Sequence, residues 1–86
     1  MSRKIALITG AGSGLGRACA LGLMKEGWTV ALLGRRIDTL QATAAMAGDA
    51  AARTLPLACD VGQEDQVAAA FAAVRQRFGR LDLLFN

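Results

Sequence analysis

The sequence contains neither histidine nor tyrosine. Without histidine the chain supplies no imidazole for acid–base catalysis, and without tyrosine it supplies no phenolic proton donor. The lack of histidine also excludes a histidine-rich metal site. We therefore expect these 86 residues to contribute no catalytic residue and no metal site.

The chain has only two cysteines and a small net charge. Cys19 and Cys59 lack CxxC spacing, so we interpret them as free thiols of a reducing compartment and expect a cytoplasmic protein. Ten basic residues against seven acidic ones give a net charge of +3, and the basic residues never cluster beyond a pair, which predicts no nucleic-acid partner. No apolar run approaches the length of a membrane span, which predicts no membrane partner.

Short apolar runs alternate with helical repeats along the chain. Its hydrophobic fraction of 53% and charged fraction of 20% are typical of a folded protein, and its length allows one domain. The pattern predicts strands at 4–9, 29–33, 53–59 and 81–85, and helices from Gly14 or Leu15 to Glu26, from 37 up to Gly48, and from near Gln63 to Gly79. This βαβαβαβ order predicts an α/β fold, a doubly wound parallel sheet with helices on both faces. Pro56 fits such a sheet best at an edge or where its missing N–H is harmless.

Glycine is concentrated between the first strand and the first helix, where residues 9–16 read TGAGSGLG. Glycine there lets the backbone turn tightly and approach a phosphate, and the N-terminus of the following helix attracts the anion. Ser13 adds a hydroxyl donor. The spacing matches neither GxGxxG nor GxxxxGK[ST], and the alternative interpretation is a tight turn that binds nothing.

Three motifs resemble the short-chain dehydrogenase/reductase family. Thr9-Gly10-x-x-x-Gly14-x-Gly16 is similar to its TGxxxGxG cofactor loop, Asp60-Val61 to its adenine contact, and residues 81–86 to the strand before its Asn-Asn-Ala-Gly motif. The resemblance implies that residues 1–86 are the N-terminal part of one Rossmann-type NAD(P)-binding domain, ending in the fourth strand. It also implies hydride transfer between NADP(H) and an alcohol or carbonyl substrate. The cofactor-binding residues that it implies are Gly10, Gly12, Ser13, Gly14, Leu15, Gly16, Asp60, Val61 and Asn86.

The residues after the second strand favour NADP over NAD. A carboxylate at the end of that strand would bind the ribose hydroxyls of NAD, but Gly34 stands there. Arg35, and after it Arg36, supply guanidinium groups suited to a 2′-phosphate. The alternatives are that these are solvated turn arginines and that Asp60 caps the third helix.

The family's catalytic tyrosine and lysine have no counterpart here, because the chain has no tyrosine and its lysines lie in the first strand and first helix. We therefore expect an N-terminal piece of a longer dehydrogenase whose parent is a homo-oligomer. Two alternatives stay open. The chain is a dinucleotide-binding module without catalysis, or an interaction protein that pairs through the open edge of its fourth strand.

Overall fold

The computed structural model describes residues 4–85. Its helices and strands are Ile5–Thr9 (β1), Gly14–Lys25 (α1), Thr29–Gly34 (β2), Ile37–Met46 (α2), Thr54–Ala58 (β3), Glu64–Phe78 (α3) and Leu83–Phe85 (β4). The strands form one parallel sheet in the order β3-β2-β1-β4. This arrangement confirms the predicted doubly wound α/β fold.

The two central strands are buried on both faces because helices cover both sides of the sheet. Alternate side chains of β1 and β2 point to opposite faces. One set packs with α1 and α2 and comprises Ala6, Ile8, Val30 and Leu32. The other set packs with α3 and comprises Ile5, Leu7, Ala31 and Leu33. This double burial explains why both strands are continuous apolar runs in the sequence.

The connection between α2 and β3 differs from the prediction. The helix ends at Met46, and a 3₁₀ helix at Gly48–Arg53 precedes β3. The guanidinium of Arg53 donates to the carbonyl of Met24 at 3.1 Å, where a cation also complements the C-terminal end of α1. The segment is therefore ordered by a contact with α1.

The fourth strand begins two residues later than predicted, at Leu83. Asp82 pairs with the start of β1 through both its backbone and its side chain. Its amide donates to the carbonyl of Ile5, and its carboxylate accepts from the amide of Ile5, both at 2.8 Å. Pro56 lies in β3, an edge strand of the described sheet, as predicted.

Candidate functional site

A cavity of about 360 Å³ lies at the edge of the sheet where β1, β2 and β3 end. Parallel strands bring their carboxyl ends to the same edge, which is where doubly wound sheets bind ligands. The wall combines the glycine loop, the end of β2, the start of α2 and the segment after β3. Its residues are Gly10, Gly12, Ser13, Gly34, Arg35, Arg36, Thr39, Cys59 and Val61.

The glycine loop leaves the N-terminus of α1 open to an anion. Gly10 turns the chain after β1 with a φ of 63°, and the amide of Ala11 donates to the carbonyl of Leu33 at 3.0 Å. Ser13 is the N-cap residue of α1, but its side chain makes no capping hydrogen bond, and no acidic residue occupies the first turn. Backbone amides and the helix dipole are therefore available to a phosphate.

The first turn of α1 holds the other three predicted loop residues, which lie outside the cavity wall. Gly14 begins the helix, and Leu15 is 71% exposed. Gly16 is buried, and a side chain there would overlap the backbone carbonyl of Gly10. A side chain at Gly12 would overlap Thr39 of α2. Glycine at both positions thus permits the close packing of the loop against both helices.

The two arginines after β2 are exposed and differ in their partners. Arg36 donates from Nη2 to Oδ2 of Asp38 at 2.7 Å. This hydrogen bond with Arg36 lowers the pKa of the Asp38 carboxyl below its ordinary value of 3.8. Arg35 makes no hydrogen bond or ion pair with another residue of the described range 4–85. Arg35 is therefore the cation of this pair that is free to meet a ligand.

The segment after β3 contributes Cys59 and Val61 to the cavity wall, whereas Asp60 is not part of it. The carboxylate of Asp60 accepts from the amide of Gly62 at 2.9 Å. Gln63 is the N-cap of α3 and makes no side-chain cap, so the alternative that Asp60 caps this helix is wrong. Asp60 instead closes a turn before the helix. Asn86 lies outside the described residues.

Cys59 is a buried thiol at the cavity wall. It is 3% exposed, and its amide donates to the carbonyl of Gly34 at 2.7 Å. Burial raises the pKa of the Cys59 thiol, and the negative charge of Asp60 raises it further. The thiol is therefore protonated and poorly nucleophilic at neutral pH. Among residues 4–85, no group of three or more histidine, cysteine or carboxylate side chains is placed to hold a metal ion.

Two residues that the sequence analysis did not single out anchor the glycine loop. Thr43 of α2 is fully buried, and its hydroxyl donates to the carbonyl of Ala11 at 2.7 Å. Arg17 of α1 donates from Nε to that hydroxyl at 2.8 Å. The sequence offered little signal, since a threonine within a helix and one arginine among scattered basic residues have no distinctive spacing.

Comparisons with known proteins place these features in context. The chain is 45% identical, over its whole length, to mouse dehydrogenase/reductase SDR family member 1. It superposes with a TM-score of 0.86 on 3-ketoacyl-(acyl-carrier-protein) reductase from Brucella melitensis complexed with NADH, at 38% identity over 96% of the chain. A metagenomic short-chain oxidoreductase in complex with NADP matches with a TM-score of 0.89, at 33% identity over 98% of the chain.

The chain spans only part of these proteins, covering 28% of the mouse relative and 33% and 38% of the two solved structures. No helix within residues 4–85 has the length and apolarity needed to cross a membrane.

The sequence profile described as short chain dehydrogenase matches residues 4–86. This match covers nearly the whole chain, and the chain therefore belongs to the short-chain dehydrogenase family.

Proposed function

We propose that this chain is the NADP-binding part of an oxidoreductase that moves a hydride between NADP(H) and an alcohol or carbonyl substrate. The observation that carries the proposal is the composition of the cavity wall, where the open N-terminus of a helix and two arginines surround one space. A helix N-terminus and guanidinium groups both attract phosphate. The complexes of two family members with NADH and NADP support a nicotinamide dinucleotide as the ligand.

The proposal assigns the predicted residues to three parts of the dinucleotide. The glycine loop and first turn of α1 receive the pyrophosphate, and Ser13 adds its uncapped hydroxyl. Arg35 and Arg36 receive the 2′-phosphate, and Asp60 and Val61 flank the adenine. The residues assigned to the pyrophosphate are Gly10, Gly12, Ser13, Gly14, Leu15 and Gly16. Asn86 stays a prediction.

The end of β2 supports NADP over NAD. Gly34 carries no carboxylate to bind the ribose hydroxyls, and a side chain there would meet Leu40 at 3.0 Å. The next acidic residue along the chain, Asp38, is already paired with Arg36. Arg35 is unpaired in the described range, so its fork of N–H donors is available for two phosphate oxygens.

The bound cofactor would supply the hydride chemistry, and the chain's own residues would bind and orient it. We assign no catalytic residue to this chain, because it has no tyrosine or histidine to transfer the accompanying proton. Cys19 and Cys59 are both free thiols, which supports the predicted cytoplasmic location. Assembly of the parent enzyme into a homo-oligomer stays a prediction.

Titrations of the purified protein with NADPH and NADH test the proposal. We expect the unchanged protein to bind NADPH more tightly than NADH. Arg35→Ala should bind NADPH about 10- to 100-fold more weakly than the unchanged protein, because a hydrogen-bonded charge is removed. The affinity for NADH should change little. The loss in Arg36→Ala should be smaller because Asp38 already occupies Arg36.

Arg75→Ala is the matched control, since Arg75 is exposed on α3 and does not line the cavity. Its affinity for NADPH should equal that of the unchanged protein. Equal binding of NADH and NADPH by the unchanged protein would refute the NADP preference. Absence of binding to either dinucleotide would refute the proposed function itself.

A further inference from the structure

The two ends of the proposed cofactor site are joined by hydrogen bonds through α2, of which the one between Thr43 and Ala11 is buried. Thr43 lies on the buried face of α2, and its side chain is fully buried. Its hydroxyl donates to the carbonyl of Ala11, in the middle of the glycine loop, at 2.7 Å. This bond crosses 32 positions of sequence and ties the loop directly to α2. Losing it would leave the buried carbonyl of Ala11 without this donor.

Arg17 completes the orientation of that hydroxyl. Its Nε donates to Oγ1 of Thr43 at 2.8 Å, and its Nη2 donates to the carbonyl of Thr39 at 3.2 Å. A hydroxyl that accepts from a guanidinium has its own proton free to donate elsewhere. Two carbonyls are within reach of that proton, Ala11 at 2.7 Å and Thr39 at 3.2 Å, and the shorter distance is to Ala11. Arg17 therefore holds α1 against α2 and favours the rotamer of Thr43 that holds the loop.

The same stretch of α2 is tied to the arginine turn after β2. The hydroxyl of Thr39 donates to the carbonyl of Arg36 at 2.9 Å. Gly12 packs so closely on Thr39 that a side chain at Gly12 would overlap it. One turn of α2 thus contacts both the glycine loop and the arginine turn, and it can keep them at a fixed separation.

We propose that Thr43, oriented by Arg17, is a positioning residue that sets the spacing between the phosphate-binding loop and the arginine turn. The inference rests on the proposed function. A dinucleotide carries its pyrophosphate and its 2′-phosphate in one covalently linked molecule, so its simultaneous contact with both parts of the site depends on their separation. A small ligand that occupies only the arginine turn does not depend on that separation. Preorganisation of this kind lowers the cost of ordering the site upon binding.

Thr43→Val and Thr43→Ser separate positioning from general stability. Valine keeps the shape of threonine but removes the hydroxyl, whereas serine keeps the hydroxyl. We expect Thr43→Val to bind NADPH about tenfold more weakly, as the loss of one buried hydrogen bond predicts, and Thr43→Ser to restore the affinity. Binding of adenosine 2′-phosphate, which would reach the arginine turn and the residues assigned to the adenine but not the glycine loop, should stay unchanged in both variants.

Thr54→Val is a matched control. The hydroxyl of Thr54 also donates to a backbone carbonyl at 2.7 Å, that of Ala51, and neither residue lines the cavity. This variant should lose stability without losing NADPH affinity. Unchanged NADPH affinity in Thr43→Val, or an equal loss for NADPH and adenosine 2′-phosphate, would overturn the inference.

Hydrogen exchange without cofactor tests the inference separately from the proposed function. The amide of Ala11 should exchange about tenfold faster in Thr43→Val than in the unchanged protein, because the loop opens more often. The amide of Val74, in the buried stripe of α3, should not change. If Thr43→Val does not fold, Arg17→Met gives the same comparison while the buried hydroxyl stays in place.

The two proposals fail in different ways. Failure of the unchanged protein to bind NADPH would refute the proposed function, and the exchange rates would still judge the role of Thr43. Unchanged exchange of Ala11 in the variant would overturn the inference even if NADPH binds tightly. Faster exchange at Ala11 that serine reverses would support it.

Discussion

Replacement of Gly16 by alanine tests how closely α1 must pack on the glycine loop. A methyl group at Gly16 would overlap the carbonyl of Gly10 and lie 2.7 Å from its carbonyl carbon. Carbon atoms prefer separations of about 3.5–4.0 Å, so α1 and the loop must move apart by roughly 0.8 Å or more. Overpacking of this kind costs about 1–3 kcal/mol. The displaced atoms are backbone atoms, which have no rotamer to relieve the contact.

Gly22→Ala is the control within the same helix, because nothing lies within 4 Å of a side chain at that position. Alanine is favoured over glycine inside a helix by about 0.8–1.0 kcal/mol, so this variant should be more stable. Urea unfolding measures both changes, and titration with NADPH measures the effect on the proposed site. Gly16→Ala should be less stable and bind NADPH at least about tenfold more weakly, since the first turn of α1 moves away from the loop. A Gly16→Ala variant as stable as the unchanged protein would refute the packing argument.

Two further predictions follow from titratable groups. The hydrogen bond with Arg80, followed by that with the amide of Ile5, lowers the pKa of Asp82 below its ordinary value of 3.8. Its stabilising effect is present above that value and is lost as the pH falls through the lower folded-state pKa. As the pH is lowered below 3.8, the urea concentration at the unfolding midpoint should therefore decrease more steeply for the unchanged protein than for Asp82→Asn. Parallel plots of midpoint against pH for the two proteins would contradict this. Because burial raises the pKa of Cys59, iodoacetamide should modify Cys59 more slowly than the half-buried Cys19 at neutral pH. Peptide mass spectrometry measures both rates, and equal rates would contradict the assigned burial.

The fold could be predicted from the sequence because its strongest signals are local. The apolar runs of β1 and β2 are continuous, as expected for strands buried on both faces. Gly79 ends α3 in the left-handed conformation that favours glycine at a helix C-terminus. The 3₁₀ helix at Gly48–Arg53 could not be predicted in this way. Its order depends on Arg53 reaching the carbonyl of Met24, 29 residues earlier in the chain.

The candidate site also contains parts that local sequence signals predict and parts that depend on contacts between residues distant in sequence. The glycine loop and the arginine pair can each be recognised in the sequence from their composition, and the structure brings parts of both to one cavity. The roles of Thr43 and Asp82 were not foreseen, because each acts on a backbone group that is distant in sequence. Asp38 was also overlooked, although it distinguishes Arg36 from Arg35. Pairwise tertiary contacts of single polar side chains have no periodicity from which to infer them.

The topology and the side chains contribute different parts of the proposed specificity. Any parallel sheet with this strand order places the N-terminus of α1 beside the end of β2, so an anion site at the glycine loop follows from the fold. The proposed discrimination between NADP and NAD rests instead on Gly34 and Arg35. A side chain at Gly34 would place its first atom 3.0 Å from Cδ2 of Leu40, so the end of the leucine side chain would have to shift slightly to admit a carboxylate. Conversion of the proposed site to NAD therefore calls for an acidic residue at Gly34 together with a small shift of the Leu40 side chain.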